Sequence, residues 1–162
     1  MRVRTTVHSS RLTAAGERDD SWAASVPILV IDDNAAKRLS VKAALAPLGH
    51  TIVEAESGLE ALRCLLERSF ALILLDIRMP IMDGFVTAEL IRTRQRSELT
   101  PIIFLSAHAS KEDHLSRLDA VGAVDFIAAP FEPEELRAKV SVFAKLFVAA
   151  DDPAEPAREL AS

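Results

Sequence analysis

The sequence predicts a doubly wound α/β domain, a five-stranded parallel sheet covered by helices on both faces. Two observations carry this reading. Short apolar runs alternate five times with amphipathic stretches, and three of them, Val26 to Ile31, Phe70 to Leu75 and Pro101 to Leu105, are apolar throughout rather than at every second residue. A run without polar gaps belongs to a strand buried on both faces, the condition of a parallel sheet. At 162 residues the chain has room for one ordinary domain with short appendages.

Taken in order, the first 25 residues mix Ser, Thr, Ala, Arg and Asp with no period that would bury a face. Residues 1–25 are therefore expected to form a tail in which Trp22 alone could dock. The strand runs are Val26 to Ile31, Thr51 to Ala55, Phe70 to Leu75, Pro101 to Leu105 and Ala123 to Ala128. Asp is a good N-cap, so one of Asp32 and Asp33 could open the helix that begins near Asn34. Ser57 with Glu60 fits a capping box before Leu59, Leu62, Leu65 and Leu66, and Ser110 with Asp113 does the same before Leu115 and Leu118. Gly49 and Gly122 sit where helices would stop, and Pro133, Glu134 and Glu135 suit a first helical turn. In the last helix Leu136, Val140, Phe143 and Phe147 recur as one stripe, with Val142, Leu146 and Ala149 as a second. The domain is expected over 26–149 and a short acidic tail over 150–162, whose last twelve residues hold four acids against one Arg.

Composition excludes several function classes. A net charge of −5 is not that of a nucleic-acid grip. The longest apolar run, Phe70 to Leu75, falls far short of the roughly 18 residues of a membrane span. No apolar stretch of signal-peptide type follows the basic start. A single cysteine, Cys64, closes no disulfide within the chain, so a reducing, cytoplasmic setting is expected.

In such sheets function collects at the carboxyl ends of the strands. Asp32 and Asp33 follow the first run, Asp76 the third and Ser106 the fourth. A helix cap explains one of these acids and leaves the other two. Three converging carboxylates raise one another's pKa unless a cation neutralises them, and Mg²⁺ with oxygen ligands fits. A carboxylate beside Mg²⁺ can act as a nucleophile toward phosphorus, with the Ser106 hydroxyl and the Ala107 backbone N–H as donors to the phosphoryl oxygens.

The segments Ile28-Leu-Val-Ile-Asp-Asp-Asn34, Leu74-Leu-Asp-Ile-Arg-Met-Pro-Ile-Met-Asp-Gly84, Leu105-Ser-Ala107 and Asp125-Phe-Ile-Ala-Ala-Pro-Phe131 resemble, in order and spacing, the signature segments of response-regulator receiver domains of two-component signalling. The resemblance covers about residues 26 to 148. It implies a flavodoxin-like sheet of strand order 2-1-3-4-5. It further implies that Asp76 accepts a phosphoryl group from a histidine kinase or phosphotransfer protein. Asp32, Asp33, Asp76 and the backbone carbonyl of Arg78 would hold Mg²⁺, and Ser106 and Phe126 would form the switch. Met79, Pro80, Asp83 and Gly84 would shape the loop behind the acceptor, and Pro130 is a candidate for a cis peptide. Such a chain is a phosphoryl acceptor rather than an enzyme, though one that promotes its own phosphorylation and dephosphorylation.

One position departs from the family pattern. Receivers carry a lysine immediately before the proline at the exit of the fifth strand, and here Ala129 stands there. Lys37, Arg38 and Arg78 are the candidates to supply that charge. The alternative reading is a degenerate receiver that binds its partner whether or not Asp76 is modified. A haloacid-dehalogenase-like phosphatase is disfavoured, since Arg78 stands where its second Asp would be. His8, His50, His108 and His114 lack metal-ligand spacing, and His108 reads as a solvated loop residue. Cys64 reads as a small core residue, and Arg92, Arg94 and Arg96 as a solvated helix end. The second stripe of the last helix is either buried under a neighbour or exposed as a surface for a homodimer or a partner helix.

Overall fold

The computed structural model describes residues 24–107 and 111–150. Strands β1 (Pro27–Ile31), β2 (Thr51–Ala55), β3 (Leu72–Asp76), β4 (Ile102–Ser106) and β5 (Asp125–Ala128) alternate with helices α1 (Ala35–Leu45), α2 (Gly58–Glu67), α3 (Gly84–Arg92), α4 (Lys111–Ala120) and α5 (Pro133–Ala150). The strands pair in parallel in the order β2-β1-β3-β4-β5. Trp22, His8, His108, the Ser110 cap and residues 151–162 lie outside the described residues. Ala150 closes α5 rather than opening a tail.

Successive strand residues point to opposite faces, and the core divides accordingly. Leu29, Ile31, Ile73, Leu75, Ile102 and Phe104 pack against Leu62 and Leu65 of α2, Phe85 and Ile91 of α3 and Leu118 of α4. Ile28, Val30, Leu72, Leu74 and Ile103 face the other way, onto Val41 and Leu45 of α1 and Leu136, Val140 and Ala144 of α5. Every residue of β3 is buried. Each such aliphatic side chain contributes roughly 1.5–3 kcal/mol by leaving water, which makes the central strand the anchor of the sheet.

The ladders begin later than the apolar runs at four of the five strands. Val26 precedes β1, Phe70 and Ala71 precede β3, Pro101 precedes β4, and Ala123 and Val124 precede β5, although Val26, Phe70 and Ala71 are buried. Apolar character reports burial, whereas a strand is defined by its hydrogen bonds. Asp76 and Ser106 are, for the same reason, the last residues of β3 and β4 rather than the first residues after them.

The helix entries correct two expectations. Asn34, not an aspartate, caps α1, its side-chain oxygen accepting from the Lys37 N–H at 3.1 Å. Ser57 caps α2 by accepting from the Glu60 N–H, but the Glu60 carboxylate takes the N–H of Glu56 rather than that of Ser57. Leu59 and Leu66 of α2 and Leu115 of α4 are exposed, so the buried face of α2 is Ala61, Leu62 and Leu65. Gly49 and Gly122 take left-handed backbone, with φ of 72° and 63°, where the chain leaves a helix.

Arg92 is no solvated helix end. Its guanidinium donates to the carbonyls of Val121 (2.8 Å), Thr100 (2.6 Å) and Gly122 (3.1 Å), tying α3 to the turns that enter β4 and β5. Arg94 and Arg96 donate to the carbonyls of Leu62 and Leu66 in α2. Carbonyls at helix ends and turns need donors, and a sequence does not reveal which distant arginine supplies them. Cys64 is half-buried against the core. On α5 the first stripe is only partly buried, Phe143 and Phe147 flanking the line of Leu136, Val140 and Ala144. The second stripe is open to solvent, with Val142 54% and Leu146 58% exposed.

Candidate acidic site at the strand ends

Parallel pairing sets Ile31 beside Leu75, so the residues that follow, Asp32 and Asp76, stand next to each other at the carboxyl edge. Carboxylate oxygens of Asp32, Asp33 and Asp76 lie within 4.8 Å of one another. Asp32 and Asp76 are buried, at 7% and 2% exposure, whereas Asp33 faces solvent. The first of these is oriented by its own turn, Asp32 Oδ1 accepting from the Asn34 N–H at 2.9 Å. The loop is braced from behind by Arg38, which donates to the Asp32 carbonyl at 2.7 Å and pairs with Glu54 and Glu56. Arg38 is thereby committed to the scaffold.

The negative charge of the site is offset only in part. Burial, and then the charge of Asp32, push the Asp76 carboxyl up to about 6, with Lys37 opposing them. Asp32 is also raised, by burial first, against the Asn34 hydrogen bond and Lys37. Asp76 Oδ2 is buried without a hydrogen-bond partner among the described residues. Lys37 Nζ lies 3.9 Å from that oxygen and 4.0 Å from Asp32 Oδ2. Clustered oxygen ligands, a buried acceptor without a donor and a surplus of negative charge fit a hard divalent cation such as Mg²⁺.

The third side of the site is β4. Ser106 is 3% exposed at the strand end, and its carbonyl accepts the Ala129 N–H at 2.8 Å, which draws the β5–α5 connection up to the rim. Ala107 follows it and is exposed. Phe126, beside Phe104 in the register of β4 and β5, is 7% exposed and packs into the core of the α2, α3 and α4 face. The Ala129–Pro130 peptide is cis.

Behind Asp76 the loop to α3 turns back on itself. The Gly84 N–H donates to the Ile77 carbonyl at 2.7 Å, and a Cβ on Gly84 would stand 2.2 Å from the Asp76 carbonyl oxygen. Only a residue without a side chain allows that approach. Asp83 caps α3 by accepting from the Val86 N–H, while Met79 is buried and the side chain of Arg78 is exposed. The sequence brings Lys37 forward only as one of three basic candidates. Its place beside Asp76 follows from the strand register.

Comparison with known proteins agrees with this construction. The response regulator receiver domain family matches residues 28–141. The chain is 37% identical over 113 residues to the transcriptional regulatory protein HprR of Escherichia coli (strain K12), covering 70% of this chain and 49% of that protein. It is 39% identical over 116 residues to the phosphate regulon transcriptional regulatory protein PhoB of Pseudomonas aeruginosa, again with 70% and 49% covered. The chain thus spans about half the length of the curated relatives it matches. Among solved structures, Vibrio cholerae chemotaxis protein CheY4 superposes with a TM-score of 0.69 at 31% identity, covering 74% of this chain and 99% of that one. The receiver domain of sensor histidine kinase PA1611 from P. aeruginosa PAO1, which has a magnesium ion coordinated in its active site cleft, gives 0.68 at 30% identity, with 75% and 99% covered. Fold, strand-end acids and relatives agree: the chain belongs to the response regulator receiver domain family of two-component signalling.

Proposed function

We propose that Asp76 accepts a phosphoryl group from the phosphohistidine of a histidine kinase or phosphotransfer protein. The observation that carries this is the buried Asp76 Oδ2, without a hydrogen bond among the described residues, in a cluster of carboxylates within 4.8 Å of one another. Asp32, Asp33, Asp76 and the Arg78 backbone carbonyl would hold Mg²⁺, which supplies charge neutralisation for the phosphoryl oxygens. In the transfer an Asp76 oxygen forms a bond to phosphorus as the N–P bond breaks, and the electron pair of that bond returns to the imidazole nitrogen. The Ser106 hydroxyl and the Ala107 N–H are the donors for the transferred group. Ser106 and Phe126, on adjacent strands, are the pair through which modification would reach the partner surface. One cysteine and, among the described residues, no helix long and apolar enough to cross a membrane support a cytoplasmic setting.

The test is incubation with acetyl phosphate and Mg²⁺, followed by intact mass. One phosphoryl group is expected on the wild type and none on Asp76→Asn. Equal labelling of the two would overturn the assignment. The exposed flank of α5, with Val142 and Leu146, is the surface we propose for self-association or for a partner helix.

A further inference from the structure

The family pattern puts a lysine where this chain has Ala129, and the described residues contain one cation placed to do its work. Arg38 is spent on Glu54, Glu56 and the Asp32 carbonyl. Lys37 alone of the three candidates has an ion-pair contact with both buried acids, 3.9 Å from Asp76 Oδ2 and 4.0 Å from Asp32 Oδ2. We infer that Lys37, from the first turn of α1, is the cation that meets the phosphoryl group on Asp76, an assignment that rests on Asp76 being the acceptor.

Three features support it. Both separations exceed hydrogen-bond length, so the ammonium attracts the carboxylates while its three donors stay available to oxygens brought in on phosphorus. A groove of about 630 Å³ between α1 and the β5–α5 connection is lined by Asp32, Lys37, Ala107 and Ala129 alike. The space that a side chain at 129 would enter is therefore the space Lys37 borders. Its side chain is 38% exposed, and a four-carbon stem can swing across the groove without repacking the core. Finally, the position opposes local helix energetics. Lys37 lies in the first turn of α1, where the helix dipole disfavours a cation and where this helix has no acidic residue. The carboxylates across the rim are what offset that disadvantage.

With acetyl phosphate as donor, an Asp76 oxygen bonds to phosphorus, the P–O bond to acetate breaks, and acetate leaves with the electron pair. Negative charge spread over the equatorial phosphoryl oxygens is what Lys37 would meet. The backbone N–H of Lys37, not its side chain, completes the α1 cap, so replacing the side chain leaves the helix start intact.

The experiment compares wild type, Lys37→Met, Lys37→Arg, Ala129→Lys and the double variant Lys37→Met/Ala129→Lys at saturating Mg²⁺. Labelling rate by acetyl phosphate and beryllofluoride affinity by calorimetry are the two readouts, with thermal melts confirming folding. Lys37→Met is expected to lower both roughly 10- to 100-fold, the worth of a charge-assisted hydrogen bond, and Lys37→Arg to lower them less. Ala129→Lys is expected to restore most of the loss in the double variant. Wild-type labelling and beryllofluoride affinity in Lys37→Met, or a loss that Ala129→Lys does not repair, would overturn the role of Lys37 while leaving the acceptor in place. Absence of label from both the wild type and Ala129→Lys would instead overturn the acceptor reading, and this inference with it.

Discussion

Without a divalent cation, Asp76→Asn should make the protein more stable, by an amount that depends on pH. The carboxyl is 2% exposed and held near pH 6 in the folded state, against an ordinary 3.8 in the unfolded chain. At about 1.36 kcal/mol for each tenfold change, keeping it ionised in the fold costs about 3 kcal/mol. The amide removes the charge but leaves a buried polar atom without a partner, which returns about 1 kcal/mol. A net gain of about 2 kcal/mol follows, or roughly 5–10 °C in Tm for a domain of this size. The sign with pH is fixed by a folded pKa above the unfolded one. Wild-type stability from this group is present in full below pH 3.8 and is lost as pH rises through about 6. The advantage of the variant should therefore be complete at pH 8 and gone, or reversed by up to about 1 kcal/mol, near pH 4. Urea melts of both proteins in EDTA at pH 4, 6 and 8 measure it. An equal difference at all three values, or a variant less stable than wild type at pH 8, would refute the account of Asp76 as a buried charge that Lys37 offsets only in part. Adding Mg²⁺ at pH 8 should narrow the gap, because the ion neutralises what the substitution removes.

Other outcomes follow from neighbouring features. Mg²⁺ should raise the wild-type Tm and lose most of that effect in Asp33→Ala, whereas a shift that survives the substitution would count against the acidic cluster as the metal site. Gly84→Ala should destabilise by about 2 kcal/mol, because its Cβ would meet the Asp76 carbonyl at 2.2 Å, and a neutral result in denaturant melts would mean that the loop yields freely. Arg92→Met should cost about 2 kcal/mol by leaving the Thr100, Val121 and Gly122 carbonyls without their donor. A change under about 0.5 kcal/mol would show those carbonyls content with water. Val142→Glu should leave the melt unchanged, since the side chain is 54% exposed, and should weaken any self-association seen by sedimentation. Unfolding of that variant, or a monomeric wild type that binds no partner through this face, would remove α5 as a contact surface.

Much of this architecture was legible along the chain because its causes are local. Unbroken apolar runs at Val26 to Ile31 and Phe70 to Leu75 announce strands covered on both sides. Ser57, Gly49, Gly122 and Pro133 mark helix ends through their own backbone and hydrogen-bonding chemistry. The acids Asp32, Asp33 and Asp76 stood out because a carboxylate after a buried strand has no packing reason to be there. What the tertiary structure alone decided depends on distances between residues far apart in sequence. Setting β1 beside β3 turns three acids into one cluster and brings Lys37 to 3.9 Å from Asp76 while Arg38, one position on, turns to Glu54 and Glu56. Arg92, which reads as one of three arginines at a helix end, spans to Val121 and Thr100 because α3 ends over the turns entering β4 and β5. Periodicity reports which face of an element is buried. The partner that a charged side chain finds is set by strand register and helix packing, which no short stretch of sequence contains.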